Sequence, residues 1–459
     1  MSRLATLVSL ALILGACGDN PPQPSASQQL PSTASPSSAS SSSAPLPTGA
    51  AGEVIPAPGS QSPIYAPNPG AIVVAIDPGH GGCLDWGSPS PFDNVPGKAE
   101  KAITLGIALA LRDRLEAAGI TVVMIRTTDA AIAGDRYSPL GCEGPPLRDV
   151  NGDGIAGFGE QVPPHTLERD ELQARLDLAN VARADVLVSI HVDAITDANG
   201  DPIPVARTET FYTDETRWGP SATRQLAEAV QGGVVNAMDG LGYERQDRGI
   251  NAHNFYMVAP PLLKETAERP NRWAQPTRGA LMPSVLCEVA SDSLAAEDKL
   301  ITSPDGQARI ADGLLAGLSS YFAQRAMAAR IDVALPGAAL PPPARPGAGP
   351  PFWAPMLQGI TGLPVTLTNT GHDSWGKNLR ILVGWGPSSD PYLRAPPSSL
   401  VPVELSVPTL APGESVELNV PLTIPPGGRQ VAWITLGDGN GTTFADSGSP
   451  PLQLASAAP

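Results

Sequence analysis

The sequence predicts an α/β unit, a mostly parallel sheet with helices on both faces, followed by a small all-β sandwich. Two observations carry this expectation. Between about 71 and 330, short apolar runs rich in β-branched residues alternate with stretches of helical periodicity, the pattern of helices packed on a parallel sheet. From 352 onward helical periodicity is lost, and alternating runs at Val365–Leu367, Leu379–Val383, Val416–Val420 and Gln430–Ile434 are separated by Pro- and Gly-rich turns, the pattern of a sandwich.

The elements follow in chain order. Residues 1–17 carry Arg3, an apolar run from Leu4 to Leu14, and small residues before Cys17. This is a secretory signal, too short to span a membrane as a mature helix. Residues 18–70 are dominated by Pro, Ser, Ala and Gly and cannot bury enough apolar surface to offset the entropy of ordering, so they read as a tether. In the α/β unit a buried strand is expected at Ala71–Ile76, a helix at Glu100–Ala118 ended by Gly119, and a strand at Ile120–Ile125. A helix near Arg169–Arg183, strands at Val186–Ile190 and Thr208–Tyr212, and a helix near Ala222–Met238 come next. Strands at Phe255–Val258 and Ser284–Val289 and a helix near Gln307–Gln324 complete the unit. A second Pro-rich linker spans 331–351, and the sandwich fills 352–459.

Charge and cysteine usage narrow the function classes. With 45 acidic against 29 basic residues the formal charge is −16, which argues against nucleic acid as a partner, because phosphate binding needs a clustered basic surface. Cys17, Cys83, Cys142 and Cys287 form no Cys-x-x-Cys pair, so a thiolate zinc cluster is not expected. Export to an oxidising compartment makes a Cys83–Cys142 disulfide an expectation. Cys287, inside a strand, reads as packing.

Three chemistry-bearing segments share one placement. His80 follows a strand within Asp77-Pro78-Gly79-His80-Gly81-Gly82, His191 ends another strand, and Glu288 sits near the end of a third. Side chains at the carboxyl ends of parallel strands can converge although they are far apart in sequence. Glu100 opens the helix after the His80 loop, so the chain can return it to the same edge. Two imidazoles and a carboxylate would make the three-ligand set of a catalytic zinc site, and Glu288 would be the additional carboxylate for proton transfer. Spacing alone does not separate this from ordinary roles, since a lone His at a strand end is commonly a loop hydrogen-bond partner and a Glu in a first helical turn commonly offsets the helix dipole.

A resemblance separates them. Val74-Ala75-Ile76-Asp77-Pro78-Gly79-His80-Gly81-Gly82, Ala99-Glu100-Lys101, Ala184 through His191, and Val285-Leu286-Cys287-Glu288-Val289 resemble, in order, the signatures of the zinc-dependent N-acetylmuramoyl-L-alanine amidases. Supporting segments, Val122–Asp129 with Arg126 and Asp129, and Arg175–Asn180, resemble the same family. The resemblance covers 71–327. It implies that His80, Glu100 and His191 hold zinc and that Glu288 is catalytic. The bond cut would be the amide joining the lactyl group of muramic acid to L-alanine in peptidoglycan. The residues after His191 (Val-Asp-Ala) and after Glu288 (Val-Ala-Ser-Asp-Ser) depart from the family's usual ones, which bears on the rim of the site. A zinc peptidase or other amidohydrolase on the same scaffold, and a non-enzymatic envelope-binding protein, are the alternatives.

Further expectations complete the reading. Leu14-Gly15-Ala16-Cys17 resembles a lipoprotein lipobox, so Cys17 would be lipidated and the protein anchored to the membrane in the cell envelope. Asp149 through Glu160 satisfies the calcium-loop spacing D-x-[DN]-x-[DN]-G-x5-E. Asp149, Asn151, Asp153, the Ile155 carbonyl and Glu160 would therefore surround a structural calcium. His165 and His253 fall on no ligand position and read as ordinary polar residues, and His372 belongs to a turn. Thr368-Asn369-Thr370-Gly371 with Trp375 resembles the immunoglobulin-like domains appended to secreted enzymes, a module that would serve as a spacer or bind glycan or protein.

Overall fold

The computed structural model describes residues 68–92, 96–138, 141–151, 156, 166–215, 219–259, 279–333, 362–387, 396–438 and 441–456. The signal and lipobox, the tether up to residue 67, and the linker from 334 to 351 lie outside the described residues. So do Asp153, Ile155 and Glu160 of the expected calcium loop. Of that loop, Asp149 and Asn151 are described, and the backbone N–H groups of Val150 and Asn151 donate to the Asp170 carboxylate. No described helix is long and apolar enough to cross a membrane.

The α/β unit is built on six strands in the order β2-β1-β3-β6-β4-β5. These are β1 (Val73–Pro78), β2 (Thr121–Met124), β3 (Val186–Asp193), β4 (Arg207–Tyr212), β5 (Gln246–Ala252) and β6 (Ser284–Ser291). The first four in spatial order are parallel, β4 runs antiparallel to β6, and β5 is parallel to β4. The sheet is mostly parallel with helices on both faces, as expected. On one face lie α1 (Glu100–Ala117), α3 (Pro220–Ala237) and α5 (Pro304–Ala323). Ile103, Ile107, Leu111, Leu226, Val230, Leu314 and Leu318 of these helices meet Val74, Ile76, Val188 and Val285 of the sheet in one cluster. Full burial of each such side chain contributes roughly 1.5–3 kcal/mol. On the other face α2 (Thr166–Val181) packs Ala174, Leu176 and Ala179 against Val73, Ala75 and Leu187.

One strand is corrected. Phe255–Val258 is not a strand but a turn, with Tyr256 and Met257 buried among the α2-side residues. The strand stands earlier, at β5, on the edge of the sheet. Apolar content signals burial and not ladder pairing, whereas an edge strand reading Gln-Asp-Arg-Gly-Ile-Asn-Ala carries almost no apolar signal. A short helix α4 (Ala295–Ile301), also not expected, precedes α5.

The C-terminal part is an all-β sandwich. Strands β7 (Ala329–Val333), β8 (Gly362–Asn369) and β11 (Ser415–Pro421) form one sheet in the order β11-β8-β7. Strands β9 (Arg380–Pro387), β10 (Val401–Ser406), β12 (Gln430–Gly437) and β13 (Leu452–Ala455) form the other, in the order β10-β9-β12-β13. Leu363, Val365 and Leu367 from the first sheet meet Ile381, Ile434 and Leu454 from the second in a common core around the fully buried Trp375. Asn369 locks the neighbouring turn, donating to the Asp373 and Leu410 carbonyls and accepting from Gly371.

The boundary expected at 330–331 is displaced, because β7 straddles it and pairs along its whole length with β8. That strand therefore belongs to the sandwich although it directly follows α5. The sandwich is also docked against the α/β unit. Val431, Trp433, Ala445 and Ala455 bury against Leu281, and the Arg325 guanidinium reaches the Asp185 carboxylate at 3.2 Å while also donating to Ser449. Asp185 immediately precedes β3 and accepts the backbone N–H of Val73 at the start of β1. The sandwich thus closes the sheet at the amino ends of its parallel strands.

Candidate functional site

At the opposite ends of the same strands, the register sets the site. β3 and β6 align His191 with Glu288, and β6 and β4 align Glu288 with Glu209. The chain leaving β1 turns sharply: His80 adopts a left-handed backbone with φ of 60°, and Gly81 and Gly82 also have positive φ. A non-glycine residue in that region is strained and persists only where its surroundings hold it. Here they do. Arg126 donates to the carbonyls of Pro78, Gly79 and Lys101, and Arg175 donates to those of Pro78 and His80 while pairing with the buried Asp77 at 2.8 Å. Asp129 accepts from the Gly82 backbone and from the Lys101 ammonium. Both arginines and Asp129 lie in the segments singled out above as supporting.

The glycines leave room for the side chains. A Cβ on Gly79 would stand 2.5 Å from the His191 ring, and one on Gly87 would stand 2.5 Å from a Glu100 carboxylate oxygen. Any side chain at either position would displace the group it met.

His80, Glu100 and His191 converge, with one potential ligand atom from each within 4.8 Å of the others. His80 Nε2 lies 3.1 Å from Glu100 Oε2, and His191 Nδ1 lies 3.1 Å from Glu100 Oε1. The two rings meet edge to face with centroids 4.9 Å apart. Glu100 is buried at the start of α1 and accepts the backbone N–H groups of Ser88 and Val192, so its carboxylate is fixed from two sides. Asp85, a residue the sequence reading did not single out, holds the remaining ring nitrogen of His80, with Nδ1 and Oδ1 2.6 Å apart. A carboxylate behind a ligating imidazole fixes its tautomer and orientation. An acidic residue five positions after the histidine in a Gly-rich loop was the available signal.

The electrostatics of His80, Glu100 and Glu288 diverge. Burial opposes a charge on His80, but the Asp85 and Glu100 carboxylates outweigh it and raise the imidazole well above its ordinary pKa. Burial likewise opposes ionisation of Glu100, and the two imidazoles outweigh it, holding this carboxyl below its ordinary range. Glu288 goes the other way. Its burial, then the charges of Glu100 and Asp193, push the carboxyl well above its ordinary value. Its Oε2 is buried and has no hydrogen-bond partner among the described residues. A donor set of two imidazoles and one ionised carboxylate suits a zinc ion, and an orphaned carboxylate beside it suits proton exchange.

The remaining residues fall elsewhere. Cys83 and Cys142 are joined in a disulfide with Cα atoms 5.7 Å apart, tying the His80 loop to the segment after β2. Cys287 is buried and free, its thiol pushed up to about 12 by burial. His253 stacks with Phe211 and Phe255 on the β4–β5 side, and His372 in the sandwich contacts the Phe322 carbonyl. His165 and Cys17 lie outside the described residues.

The family described as N-acetylmuramoyl-L-alanine amidase matches residues 74–320. The chain is 27% identical over 269 residues to an amidase of that name from Neisseria meningitidis serogroup B, covering 54% of this chain and 52% of that protein, so it spans about half of that relative's length. It is 23% identical over 254 residues to a germination-specific amidase of Bacillus subtilis, 55% of this chain and 81% of that one. A solved amidase from Clostridium difficile 630 is 28% identical, with 56% of this chain and 98% of that chain covered and a TM-score of 0.36.

Proposed function

Starting from the chain's membership of the N-acetylmuramoyl-L-alanine amidase family, whose match covers more than half of its residues, we propose that it cleaves the amide between N-acetylmuramic acid and the L-alanine of a peptidoglycan stem, with zinc held by His80, Glu100 and His191. The observation that carries this reading is the convergence of those three side chains beside the unpartnered carboxylate of Glu288. Zinc in such a set lowers the pKa of water and polarises a carbonyl.

The chain's own residues do the rest. Asp85 orients the His80 ring, and Ser88 and Val192 orient Glu100. Glu288 in its ionised form takes a proton from the attacking water, and in the protonated form that its surroundings favour it passes that proton to the leaving amine nitrogen. A carboxylate whose pKa is raised holds the captured proton longer and can deliver it to the leaving group. In this reading Cys17 carries the lipid anchor and the protein acts in the cell envelope.

The test is mass spectrometry of what the purified protein releases from peptidoglycan, with and without chelator. Stem peptides bearing a free N-terminal L-alanine, lost on chelation and restored by zinc, are expected. Cleavage within the stem would move the assignment to a peptidase. No product from a folded, zinc-loaded protein would move it to a binding role.

A further inference from the structure

Beside Glu288 the sheet continues for two more strands, and among the described residues the buried side chains of α2 pack on β1, β2 and β3. Alternation sorts the side chains of β4. Thr208 and Thr210 point to the α3 side, where Gln231 accepts from Thr210 and donates to the Thr208 carbonyl. Arg207, Glu209 and Phe211 therefore share the face of Glu288. On β5, Asp247 and Ile250 turn to the α3 side, meeting Gln231 and the helix-packed core.

Between these two residues the ladder slips, so that Arg248 and Gly249 together oppose Glu209, and Gly249 takes a φ of 72°. This bulge brings Arg248 onto the face of Glu209. Burial raises the Glu209 carboxyl, with Arg207 and then Arg248 opposing. Asn251 and His253 continue the same face, Asn251 donating to Glu209 and His253 stacking on Phe211.

The two cations on this face differ. Arg207 is committed to Asp193, with which it forms an ion pair. Arg248 is exposed and makes no hydrogen bond or ion pair among the described residues. It is an exposed positive charge that acts on Glu209 and is held by no ion pair among the described residues, on the sheet edge that also carries Glu288 and Asp193.

The substrate of the reading above, on which this inference rests, has two arms. The glycan arm is uncharged at the scissile position, because the lactyl carboxyl is consumed in the amide. The stem arm carries carboxylates, the first of them on its second residue, in free or amidated form. Adjacent strands lie about 4.8 Å apart, which places β5 about 10 Å from β6. A peptide advances about 3.3–3.6 Å per residue, so a stem leaving the scissile amide over Glu288 brings its second or third residue to β5. We propose that the stem peptide lies across the β4–β5 face and that Arg248 is a specificity-determining residue that binds the carboxylate of the second stem residue.

The test compares two soluble muropeptides that differ only in whether that carboxylate is free or amidated, cleaved by the zinc-loaded full chain and by its Arg248→Ala and Arg248→Glu variants. The wild type is expected to prefer the free acid by roughly fivefold in kcat/KM, the scale of a solvent-exposed ion pair. Arg248→Ala abolishes the preference, mostly through KM, and Arg248→Glu inverts it. A wild type that cleaves both equally, or an Arg248→Ala variant that keeps the preference, overturns the assignment. Failure of the wild type to release an L-alanine-terminated peptide from either substrate overturns the amidase reading itself, and this inference with it.

Discussion

The two ends of the α/β sheet are built from the same residue types and do opposite things with them. At the amino ends of the parallel strands, Asp185 is buried and answered on every side, by the backbone of Val73, by Arg325 and, at 3.6 Å, by Arg330, and the sandwich seals the group from water. At the carboxyl ends, Glu288 is half-buried, its buried Oε2 has no partner among the described residues, and its neighbours Glu100 and Asp193 repel its charge. A buried charge that is fully paired fixes structure, whereas one left poised is available to chemistry. The contrast also explains the strained turn at His80, which Arg126 and Arg175 hold by donating to its flanking carbonyls.

Four substitutions would break or sharpen this contrast. Glu288→Gln keeps the shape and removes the titrating group. Hydrolysis is expected to fall on the order of 10³-fold, with zinc content by metal analysis and thermal midpoint close to wild type. A loss of zinc or of fold instead would mean that Glu288 is structural. At the other end, Asp185→Ala strands Arg325 in a buried position and is expected to cost about 3–5 kcal/mol in urea unfolding, with kcat per folded molecule unchanged. A kcat loss of tenfold or more would mean that the sandwich end is wired to the site.

The third substitution probes support within the site. Asp85→Asn leaves the ligand set intact but weakens the hold on His80, and zinc affinity in competition with a chromophoric chelator should fall roughly 10–100-fold. An unchanged affinity would make Asp85 incidental.

The smallest effect is expected at Asp292, whose carboxyl is pushed up to about 8 by burial, followed by the charges of Glu100, Asp298 and Asp193. Its folded-state pKa is higher than in the unfolded chain, so the folded protein binds the extra proton and stability falls as pH rises from about 4 to about 8. Asp292→Asn should therefore match wild type near pH 4 and exceed it near pH 8, by about 1–2 kcal/mol. A wild type that is the more stable at pH 8 would show that this group belongs with Asp185 and not with Glu288.

Legibility followed the same division. The candidate site residues were visible because local constraint leaves a local mark: Gly79, Gly81 and Gly82 are required where the backbone turns and the rings crowd, and His191 and Glu288 interrupt apolar strands near their carboxyl ends. Asp85 was less visible, since one acidic residue in a loop has many possible reasons. The strand β5 was read in the wrong place because its polar, bulged edge has no apolar period, while the apolar Phe255–Val258 is buried without pairing. The strand β7 was divided between two expected domains because nothing in Ala-Arg-Ile-Asp-Val names the sheet it will join.

The sequence by itself determined the α/β class, the presence of an all-β sandwich after it, and the residues able to do the chemistry. These depend on periodicity and on backbone requirements that act within a few residues. Only the tertiary structure decided that His80, Glu100 and His191 meet within 4.8 Å, that Glu288 Oε2 is left without a partner among the described residues, and that the sandwich closes the far end of the sheet. Those outcomes depend on strand register and on which charges are brought together and desolvated, and both arise between segments that are distant in the chain.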